Sequence, residues 1–285
     1  MCLLAGLSRA GYYRHWQASR PRQEETALRD RVQKLALANR HYGYRRLTAE
    51  LKREGWLVNH KRVLRIARED NLLCLRRRTF VPQTTQSDHC YKIYPNLARR
   101  LEPMALNQLW VADITYIRLD EAFVYLAVVL DAFSRKVIGW AVEDNLRASL
   151  ALSALRMALA NRVVDAGALI HHSDRGIQYA CMEYVAELNR YGIVASMSRP
   201  GCPYDNAMAE SFMKTLKQEE VDGSTYRDLG HLRSAMSEFL EVVYNQKRLH
   251  SALGYRPPVE FEAEFANHEW GAAQHPIHDL MQQSP

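Results

Sequence analysis

Three consecutive runs of β-forming residues with short connections constrain the fold of this chain more than any other feature. They are “LWVADITYIRL” (109–119), “FVYLAVVLDAF” (123–133) and “RKVIGWAV” (135–142). Strands joined by so few residues pair in opposite directions, because a parallel connection needs a crossover of roughly a dozen residues or more. The sequence therefore predicts three antiparallel neighbours, and the nearly continuous apolar second run predicts a strand covered on both faces.

After residue 142, helical and strand patterns alternate. A helix (“RASLALSALRMALANR”), a strand (“ALIHHSD”), a helix (“MEYVAELNRYG”) and a strand (“IVASMS”) follow one another. Two long helices are then predicted at about 205–220 and 229–244, the second with an apolar stripe of helical period. The stripe consists of Leu232, Ala235, Met236, Phe239, Leu240 and Val243. The element order βββαβαβαα predicts an α/β fold in which helices flank a mixed five-stranded sheet.

Positive charge is concentrated in the N-terminal third of the chain. Residues 1–100 hold 22 Lys and Arg against 8 Asp and Glu, and residues 101–285 hold 16 against 24. The net charge of +6 is thus the sum of a basic part of +14 and an acidic part of −8. A basic part of this kind indicates a polyanionic partner. If the acidic part lies near the same polyanion, like charges come close together. Bound divalent cations would explain that arrangement.

The basic part contains a helix–turn–helix pattern, “HYGYRRLTAELKREGWLVNHKRVLRIAREDNLLCL” (41–75). Gly55 and Trp56 end the first helix, and Asn59 is placed to cap the second. The predicted buried stripe of the second helix is Val63, Leu64 and Ala67. The residues expected to contact DNA are Arg45, Arg46, Lys61, Arg62 and Arg65, mostly in the turns that hold bases and phosphates in helix–turn–helix proteins. The alternative is a charged, solvated helical hairpin.

Two acids are candidates for one site at an edge of the sheet. Asp113 lies within the first strand, in “VADITY”, and Asp174 ends the fourth strand, in “HHSDRGIQYA”. If these two strands are neighbours, the carboxylates lie side by side. Taken singly, each acid is better explained as a solvated strand or turn residue.

A third acid lies on a helix with two lysines, in “PYDNAMAESFMKTLKQE”. Asp205 or Asn206 can cap this helix. On it, Asn206, Glu210, Lys214 and Lys217 share one face. Three converging carboxylates suit Mg²⁺, with Mn²⁺ as a substitute, because Mg²⁺ prefers oxygen ligands. Two such ions about 4 Å apart would support in-line phosphoryl displacement, and the lysines could hold DNA phosphates.

Cysteine usage and hydropathy indicate an intracellular protein without a membrane span. The five cysteines are scattered and form no CxxC pair, so neither a zinc knuckle nor a disulfide framework is predicted. No apolar stretch approaches the roughly 18 residues needed to cross a bilayer. Near the start, Arg9 and Arg14 follow the apolar piece, whereas a signal peptide has its positive charge before it.

Together these motifs resemble the second-reading-frame (OrfB) transposases of bacterial insertion sequences, in the insertion sequence three family. The matching segments are “WVADITYI”, “LDAFSRKVIGWAV”, “HHSDRGIQYA”, “SMSRPGCPYDNAMAESFMKTLKQE” and “YNQKRLHSALGYRPPVEFE”. Sixty residues separate Asp113 from Asp174, thirty-five separate Asp174 from Glu210, and Lys217 follows seven residues after Glu210. The interval of thirty-five with its later basic residue is a hallmark of the family.

The resemblance implies a ribonuclease-H-like catalytic core, similar to that of retroviral integrases, preceded by a small all-α helix–turn–helix-like domain. It implies that Asp113, Asp174 and Glu210 bind two Mg²⁺ ions for cleavage and strand transfer, without a covalent protein intermediate. The implied partners are DNA (terminal inverted repeats and target), the upstream-frame OrfA protein or a fusion with it, and further copies on DNA. The implied location is the bacterial cytoplasm, in association with the nucleoid.

The expected organisation has five segments. They are an N-terminal helical segment (1–35), a helix–turn–helix-like domain (36–78), a basic linker (79–107), the integrase-like core (108–265) and a C-terminal tail (266–285). One departure from the family pattern is Gly201-Cys202-Pro203, where relatives commonly have Gly-Asn.

Several polar residues near these motifs have open roles. His171 and His172 are weak candidates for a metal, because Mg²⁺ favours oxygen ligands over imidazole. Asp131 is interpreted as a cap for “AFSRK”. In “YNQKRLHSALGY”, Tyr244 and Asn245 are expected to end a helix, and Arg248 and His250 are placed to contact phosphate.

Two alternative functions remain open on the residues alone. The first is a DNA-binding regulator with an inactive core, which the intact acidic triad disfavours. The second is a ribonuclease-H-type hydrolase, which the basic arm and Lys217 disfavour.

Overall fold

The computed structural model describes Ser8 and residues 23–74, 91–119, 122–199 and 202–273. The chain divides into two compact units, one within residues 1–77 and one within residues 78–285. The basic connector “RRRTFVPQTTQSDHC” lies outside the described residues, as does most of “SRAGYYRHW”. Within the described part of the chain, no helix combines the length and the apolar composition needed to cross a membrane.

Within its described residues, the N-terminal unit contains three helices, α1 (Gln23–Ala38), α2 (Tyr44–Arg53) and α3 (His60–Glu69). Its core is formed by Leu28, Val32, Leu35, Leu47, Leu51, Val63, Ile66 and Ala67. Asn59 caps α3 by accepting a hydrogen bond from the Lys61 backbone N–H, which confirms the predicted cap. The predicted stripe of α3 is wrong at one position, because Ile66 is buried and Leu64 is only half-buried. Ile66 and Val63 are three residues apart and share a face of the helix.

Helix α1 is attached to both helices of the predicted pair by ion pairs. Arg29 pairs with Glu69 and Asp70 at the end of α3, and Arg31 pairs with Glu54 at the end of α2. Helix α1 therefore packs with the predicted pair, and it crosses the predicted boundary between residues 35 and 36.

A mixed five-stranded sheet forms the centre of the second unit, with the strand order β3-β2-β1-β4-β5. The strands are β1 (Leu109–Arg118), β2 (Phe123–Asp131), β3 (Val137–Glu143), β4 (Ile170–Ser173) and β5 (Val194–Met197). The first three are antiparallel neighbours, which confirms the prediction from their short connections. β4 pairs in parallel with both β1 and β5. Strand β1 is therefore central and has a partner on each side.

Helices cover both faces of this sheet. The helices described in this unit are α4 (Ala148–Asn161), α5 (Ile177–Ala180), α6 (Met182–Arg190), α7 (Ala207–Leu216), α8 (Leu229–Ser237) and α9 (Pro258–Ala273). α4, α5 and α6 contribute to the apolar core on one face, and α7 and α8 contribute to the core on the other. π-Helical segments continue α7 (Lys217–Val221) and α8 (Glu238–Lys247). The helices α5 and α9 were not predicted, and α9 crosses the expected boundary between residues 265 and 266.

The described part of the predicted linker packs against the second unit. The Leu97 backbone N–H donates to Ser196 Oγ at 2.9 Å. Ala98 and Leu101 pack against the apolar core that α7 and α8 cover. Residues 91–107 therefore contribute to the packing of the second unit.

Strand β3 approaches α4 so closely that only glycine fits between them. A Cβ at Gly139 would lie 2.2 Å from the Ala154 carbonyl oxygen and 2.7 Å from the Ala158 backbone nitrogen. Because these obstacles are backbone atoms of a helix, no rotation of a side chain relieves the contact. Gly139 thus sets the spacing between the edge strand and α4.

We predict that Gly139→Ala lowers the free energy of unfolding by about 3 kcal/mol, because it forces β3 away from α4. Urea unfolding followed by tryptophan fluorescence measures the change. Gly43→Ala is the control, since nothing lies within 4 Å of a Cβ there and its φ of −79° suits alanine. Equal stability of the two variants would contradict the close approach.

Candidate active site

The parallel pairing of β1 with β4 aligns two of the predicted acids. In this register Val111 lies beside His172. Asp113 and Asp174 each follow two residues later, so continuing the register sets them level on neighbouring strands. Partner residues in a parallel pair point to the same face, because side chains alternate with a period of two. The sequence analysis made a shared site conditional on these two strands being neighbours. In the structure, β1 and β4 are neighbours.

Backbone hydrogen bonds orient both carboxylates. Asp113 Oδ1 accepts from the Ile114 N–H at 2.8 Å, and Asp174 Oδ1 accepts from the Gly176 N–H at 2.9 Å. A Cβ at Gly176 would lie 3.0 Å from Asp174 Oδ1. Glycine therefore lets the chain turn tightly around the second carboxylate.

The helix that carries Glu210 is attached to β1 next to Asp113. Asn206 Nδ2 donates to the Ala112 carbonyl oxygen at 3.1 Å, and Glu210 follows one turn later on α7. The first turn of α7 is thereby held against the strand that carries the first acid.

The prediction that Asp205 or Asn206 caps α7 through its side chain is wrong. The Asp205 carboxylate accepts instead from the backbone N–H and the guanidinium of Arg199, at 2.9–3.0 Å. This pairing lowers the pKa of Asp205, and the Cys202 thiol accepts from the same guanidinium at 3.2 Å. Cys202, the departure from the family pattern, is therefore part of the loop that leads into α7.

The charges of the predicted residues act together on Asp113. Its pKa is raised to about 7, first by burial and next by the charge of Asp174. The Ile114 N–H opposes this rise, the charge of Glu210 adds to it, and the charge of Lys217 opposes it. Glu210 itself is exposed on α7. All three acids and one lysine thus contribute to a single electrostatic environment.

Of the two lysines on this helix, Lys217 is the one coupled to the acids. Its ammonium lies 4.8 Å from the centroid of the Tyr116 ring on β1, within the range of a cation–π interaction. Burial lowers the pKa of Lys217, while the charges of Asp113 and Asp222 raise it. Lys214 is exposed. Lys217 is therefore held against β1, and Lys214 remains at the surface.

Tyr179, which the sequence analysis did not single out, also lies beside the acids. Burial holds the pKa of its hydroxyl well above the usual range, and the charges of Tyr184, Asp174 and Asp113 add to this effect. Its buried hydroxyl has no hydrogen-bond partner among the residues that the structure describes. Only its place within “HHSDRGIQYA” could have indicated it.

His172 has a structural role. Its Nδ1 lies 2.8 Å from Ser196 Oγ, and its Nε2 lies 3.1 Å from Ser198 Oγ. Because Ser198 Oγ donates its proton to the Ser173 carbonyl, Nε2 of His172 must be the donor to Ser198. Burial lowers the pKa of His172, consistent with this neutral form.

His171 also has a structural role. Its Nε2 lies 3.0 Å from the Tyr184 hydroxyl, and the two rings pack edge to face. Burial, with a smaller contribution from His172, lowers the pKa of His171 to about 3. Neither histidine is therefore available as a catalytic base in this conformation.

Asp131 caps the turn after β2, as interpreted from the sequence. Its Oδ1 accepts from the backbone N–H groups of Phe133 (2.9 Å) and Ser134 (3.0 Å), and its Oδ2 accepts from that of Asn107 (2.8 Å). Its carboxylate is fully buried, and burial raises its pKa. These three hydrogen bonds explain why a carboxylate is buried at this position, and no bound metal ion is needed to explain it.

The expected phosphate contacts of Arg248 and His250 are wrong, because both side chains are buried. Arg248 forms an ion pair with Glu219. The expected helix end at Tyr244 and Asn245 is also wrong, since the π-helical segment continues to Lys247.

The basic residues of the N-terminal unit differ in their surroundings. Lys61 is exposed and Arg62 is half-buried at the start of α3. Arg65 forms ion pairs with Glu25 and Glu69, so its charge is partly balanced within the protein. The N-terminal turn of α3 is therefore the more available basic surface of that helix.

Arg45 and Arg46, on α2, lie over aromatic rings. The guanidinium of Arg45 is 5.3 Å from the Tyr44 ring, and that of Arg46 is 5.5 Å from the Tyr42 ring. Arg45 is exposed and Arg46 is half-buried. The rings restrict both side chains and leave their cationic groups at one end of the unit.

The predicted site residues offer carboxylate oxygens, which are the ligand type that suits a hard cation. Across the described residues, no three His, Cys, Asp or Glu side chains are grouped as closely as a bound metal ion requires. Asp113 and Asp174 offer neighbouring carboxylates, and oxygen donors of this kind suit Mg²⁺. Glu210 would have to turn from its exposed position toward that pair.

Comparisons with known proteins identify the family of this chain. The Integrase core domain family matches residues 104–203 and, in a second description, residues 191–258, and the HTH-like domain family matches residues 22–80. The chain is 37% identical over 270 residues to the Insertion element IS600 uncharacterized 31 kDa protein of Shigella sonnei, covering 93% of this chain and 98% of that protein.

The chain is also 36% identical over 268 residues to Transposase InsF for insertion sequence IS3A of Escherichia coli (strain K12), covering 92% of each. Among solved structures, it is similar to a chain of the simian T-cell lymphotropic virus intasome in complex with PP2A regulatory subunit B56 gamma. That similarity has a TM-score of 0.46 and 16% identity, and covers 90% of this chain and 78% of the other. Given its identity to relatives over nearly their whole length, the chain belongs to the insertion-sequence transposases with an integrase core, which are DDE-type polynucleotidyl transferases of ribonuclease-H-like fold.

Proposed function

We propose that this transposase binds the ends of its insertion sequence and catalyses magnesium-dependent DNA cleavage and strand transfer. The observation that carries the proposal is the parallel β1–β4 pairing, whose last pair, Val111 with His172, lies two residues before both Asp113 and Asp174. The charge of Glu210 also acts on Asp113. Clustered carboxylates repel one another, and they would repel DNA phosphates as well. Bound cations would relieve both repulsions.

Asp113, Asp174 and Glu210 would hold Mg²⁺, with Mn²⁺ as a substitute, through their carboxylate oxygens. When bound, two such ions stabilise the attacking and leaving oxygens of an in-line displacement at phosphorus. In cleavage, a water oxygen replaces the 3′ oxygen on phosphorus. In strand transfer, the freed 3′ hydroxyl replaces a 3′ oxygen of the target. Each step forms one P–O bond and breaks one, so no covalent protein intermediate is needed.

Other residues of the site would position DNA. Lys217, held between Tyr116 and the acids, would present a fixed positive charge to a phosphate near the reacting bond. Exposed Lys214, one turn after Glu210, would contact the DNA backbone. Tyr179 has a buried hydroxyl without a partner among the described residues, and it would donate to a water or a ligand oxygen beside the acids.

The N-terminal unit would supply affinity for the terminal inverted repeats. Lys61 and Arg62 lie in the first turn of α3, where helix–turn–helix proteins contact bases and phosphates. Arg45 and Arg46 would add phosphate contacts. We also propose that the active assembly contains target DNA, several copies of this chain and the upstream-frame OrfA protein, or a fusion with it. It would act on the nucleoid in the cytoplasm.

We predict that Glu210→Gln lowers magnesium-dependent nicking and joining at least about a hundredfold, because it removes a charged ligand. Binding of element-end DNA should remain within twofold, since the N-terminal unit is unchanged. A labelled 3′ end joined to a target duplex is the measured product.

Glu183→Gln is the control for this variant, because Glu183 is an exposed glutamate on α6 and takes no part in the site. It should leave the rate unchanged. Equal nicking by wild type and Glu210→Gln would contradict the metal-binding role. Hydrolysis without joining would favour a simple nuclease, and binding without nicking would favour a regulator.

We predict that metal-free Asp113→Asn is more stable than wild type above pH 7. The carboxyl has a pKa of about 7 in the folded chain against an ordinary 3.8, so the folded state binds this proton more tightly. Its contribution to stability is full below about pH 4 and lost as pH rises through about 7. One pKa unit corresponds to roughly 1.4 kcal/mol, so the gain is at most about 4 kcal/mol.

Urea unfolding of both proteins at pH 4 and pH 8 measures this difference. The difference in free energy of unfolding between the two proteins should be smaller at pH 4 than at pH 8. At pH 8, MgCl₂ should also reduce this difference, because it stabilises the wild type alone. A wild type more stable than Asp113→Asn at pH 8 without metal would contradict the prediction.

We predict that Lys61→Ala and Arg62→Ala each weaken DNA binding and lower its dependence on the logarithm of salt concentration by about 1. Arg65→Ala should have a smaller effect, because Glu25 and Glu69 already balance its charge. Lys34→Ala is the control, since Lys34 pairs with Asp30 on α1. Fluorescence anisotropy across a salt series measures the slopes, and equal slopes for all four variants would reject α3 as the DNA-binding helix.

A further inference from the structure

We propose that Tyr244 and Arg248, in the motif “YNQKRLHSALGY”, are positioning residues that hold the helix carrying Glu210 and Lys217 in place. This inference rests on the proposed function, because it assigns the motif to the same site. The motif contacts that helix at two points, one after each of the two functional residues.

The first contact joins Tyr244 to Phe212. Their ring centroids are 4.9 Å apart, with an interplanar angle of 86°, which is a favourable edge-to-face geometry. Both side chains are buried. Phe212 lies two residues after Glu210, and residues two apart on an α-helix project about 200° apart. The motif therefore holds the face of α7 opposite Glu210.

The second contact joins Arg248 to Glu219. Arg248 Nε and Nη2 donate to the two oxygens of the Glu219 carboxylate, each at 2.8 Å. The side chains are 6% and 12% exposed. A two-bond guanidinium–carboxylate pair fixes direction as well as distance. Glu219 lies two residues after Lys217, in the π-helical segment that continues α7.

The two contacts support each other and match the spacing of the functional residues. The Arg248 guanidinium lies 5.7 Å from the Tyr244 ring centroid. Phe212 and Glu219 are seven residues apart, as are Glu210 and Lys217. Each functional side chain thus has an anchored residue two positions later.

The motif is itself attached to the sheet. Asn245 Oδ1 accepts from the Val137 N–H, and its Nδ2 donates to the Val137 carbonyl, both at 2.9 Å. A buried amide that satisfies both backbone groups of one residue fixes its segment firmly. The motif therefore connects edge strand β3 to α7, so that the position of Glu210 depends on residues that lie far from the acids.

The test compares full-length variants in single-turnover joining at saturating element-end DNA with Mg²⁺. Arg248→Gln should lower the rate constant about tenfold to a hundredfold, because small misplacements of reacting groups cost that much. Its dissociation constant for DNA should stay within twofold. Arg248→Lys keeps the charge but loses the two-bond geometry, and it should recover part of the rate.

Arg162→Gln is the matched control. Arg162 pairs with Glu262 on α9, and both side chains are 11% exposed. This pair does not involve α7, so its loss should change the rate by less than threefold. The double variant Arg248→Gln/Glu219→Gln should be as slow as either single variant, because the pair acts as a unit.

Hydrogen exchange gives a readout that does not need activity. Amides at 210–221 should exchange faster in Arg248→Gln than in wild type or Arg162→Gln. If the wild type fails to join DNA, the proposed function fails, while exchange still decides the anchoring role. Unchanged exchange at 210–221 would overturn the inference. So would a wild-type joining rate in Arg248→Gln, or equal slowing by Arg162→Gln.

Discussion

The parallel pairing of β1 with β4 is the constraint on which the candidate site depends. β1 forms an antiparallel hairpin with β2 on one side, and on the other it pairs with a strand that follows the α4 crossover. Asp113 lies within its strand, whereas Asp174 lies just beyond the end of a much shorter one. A strand rises about 3.3 Å per residue, so a slip of two residues would separate the carboxylates by roughly 7 Å. A slip of one residue would instead turn the two carboxylates to opposite faces of the sheet, because side chains alternate with a period of two.

Local patterns predicted most of the fold. The five strands, the helix pair with its Asn59 cap and the stripe beginning at Leu232 follow from periodicity and end signals. The sequence analysis assumed, and did not predict, that β1 and β4 are neighbours. Strand order is set by packing between distant segments, which local patterns do not reveal. α5 was missed because four residues are too few to show a period.

Roles that depend on distant partners were harder to predict. Asp205 is a residue type that is common at helix N-caps, but its carboxylate accepts hydrogen bonds from Arg199 instead. Arg248 has the charge of a phosphate ligand, yet Glu219, twenty-nine residues away, pairs with it in the interior. Tyr179 carries no local signal, since a tyrosine between apolar residues usually belongs to the core. Arg199 lies six residues from Asp205 and Glu219 lies twenty-nine from Arg248, so neither pairing follows from the periodicity of a single helix or strand.

The π-helical segment after Lys217 means that this site depends on chain length as well as on composition. A turn closed by a bond to the fifth residue contains one residue more than an α-helical turn. Removing Gln218 would let the segment close as a regular α-helical turn. The face upstream would keep its spacing, but Glu219 would move one position back, about 100° around the helix axis, and would no longer face Arg248. A one-residue deletion here would therefore break the Arg248–Glu219 ion pair without changing either side chain.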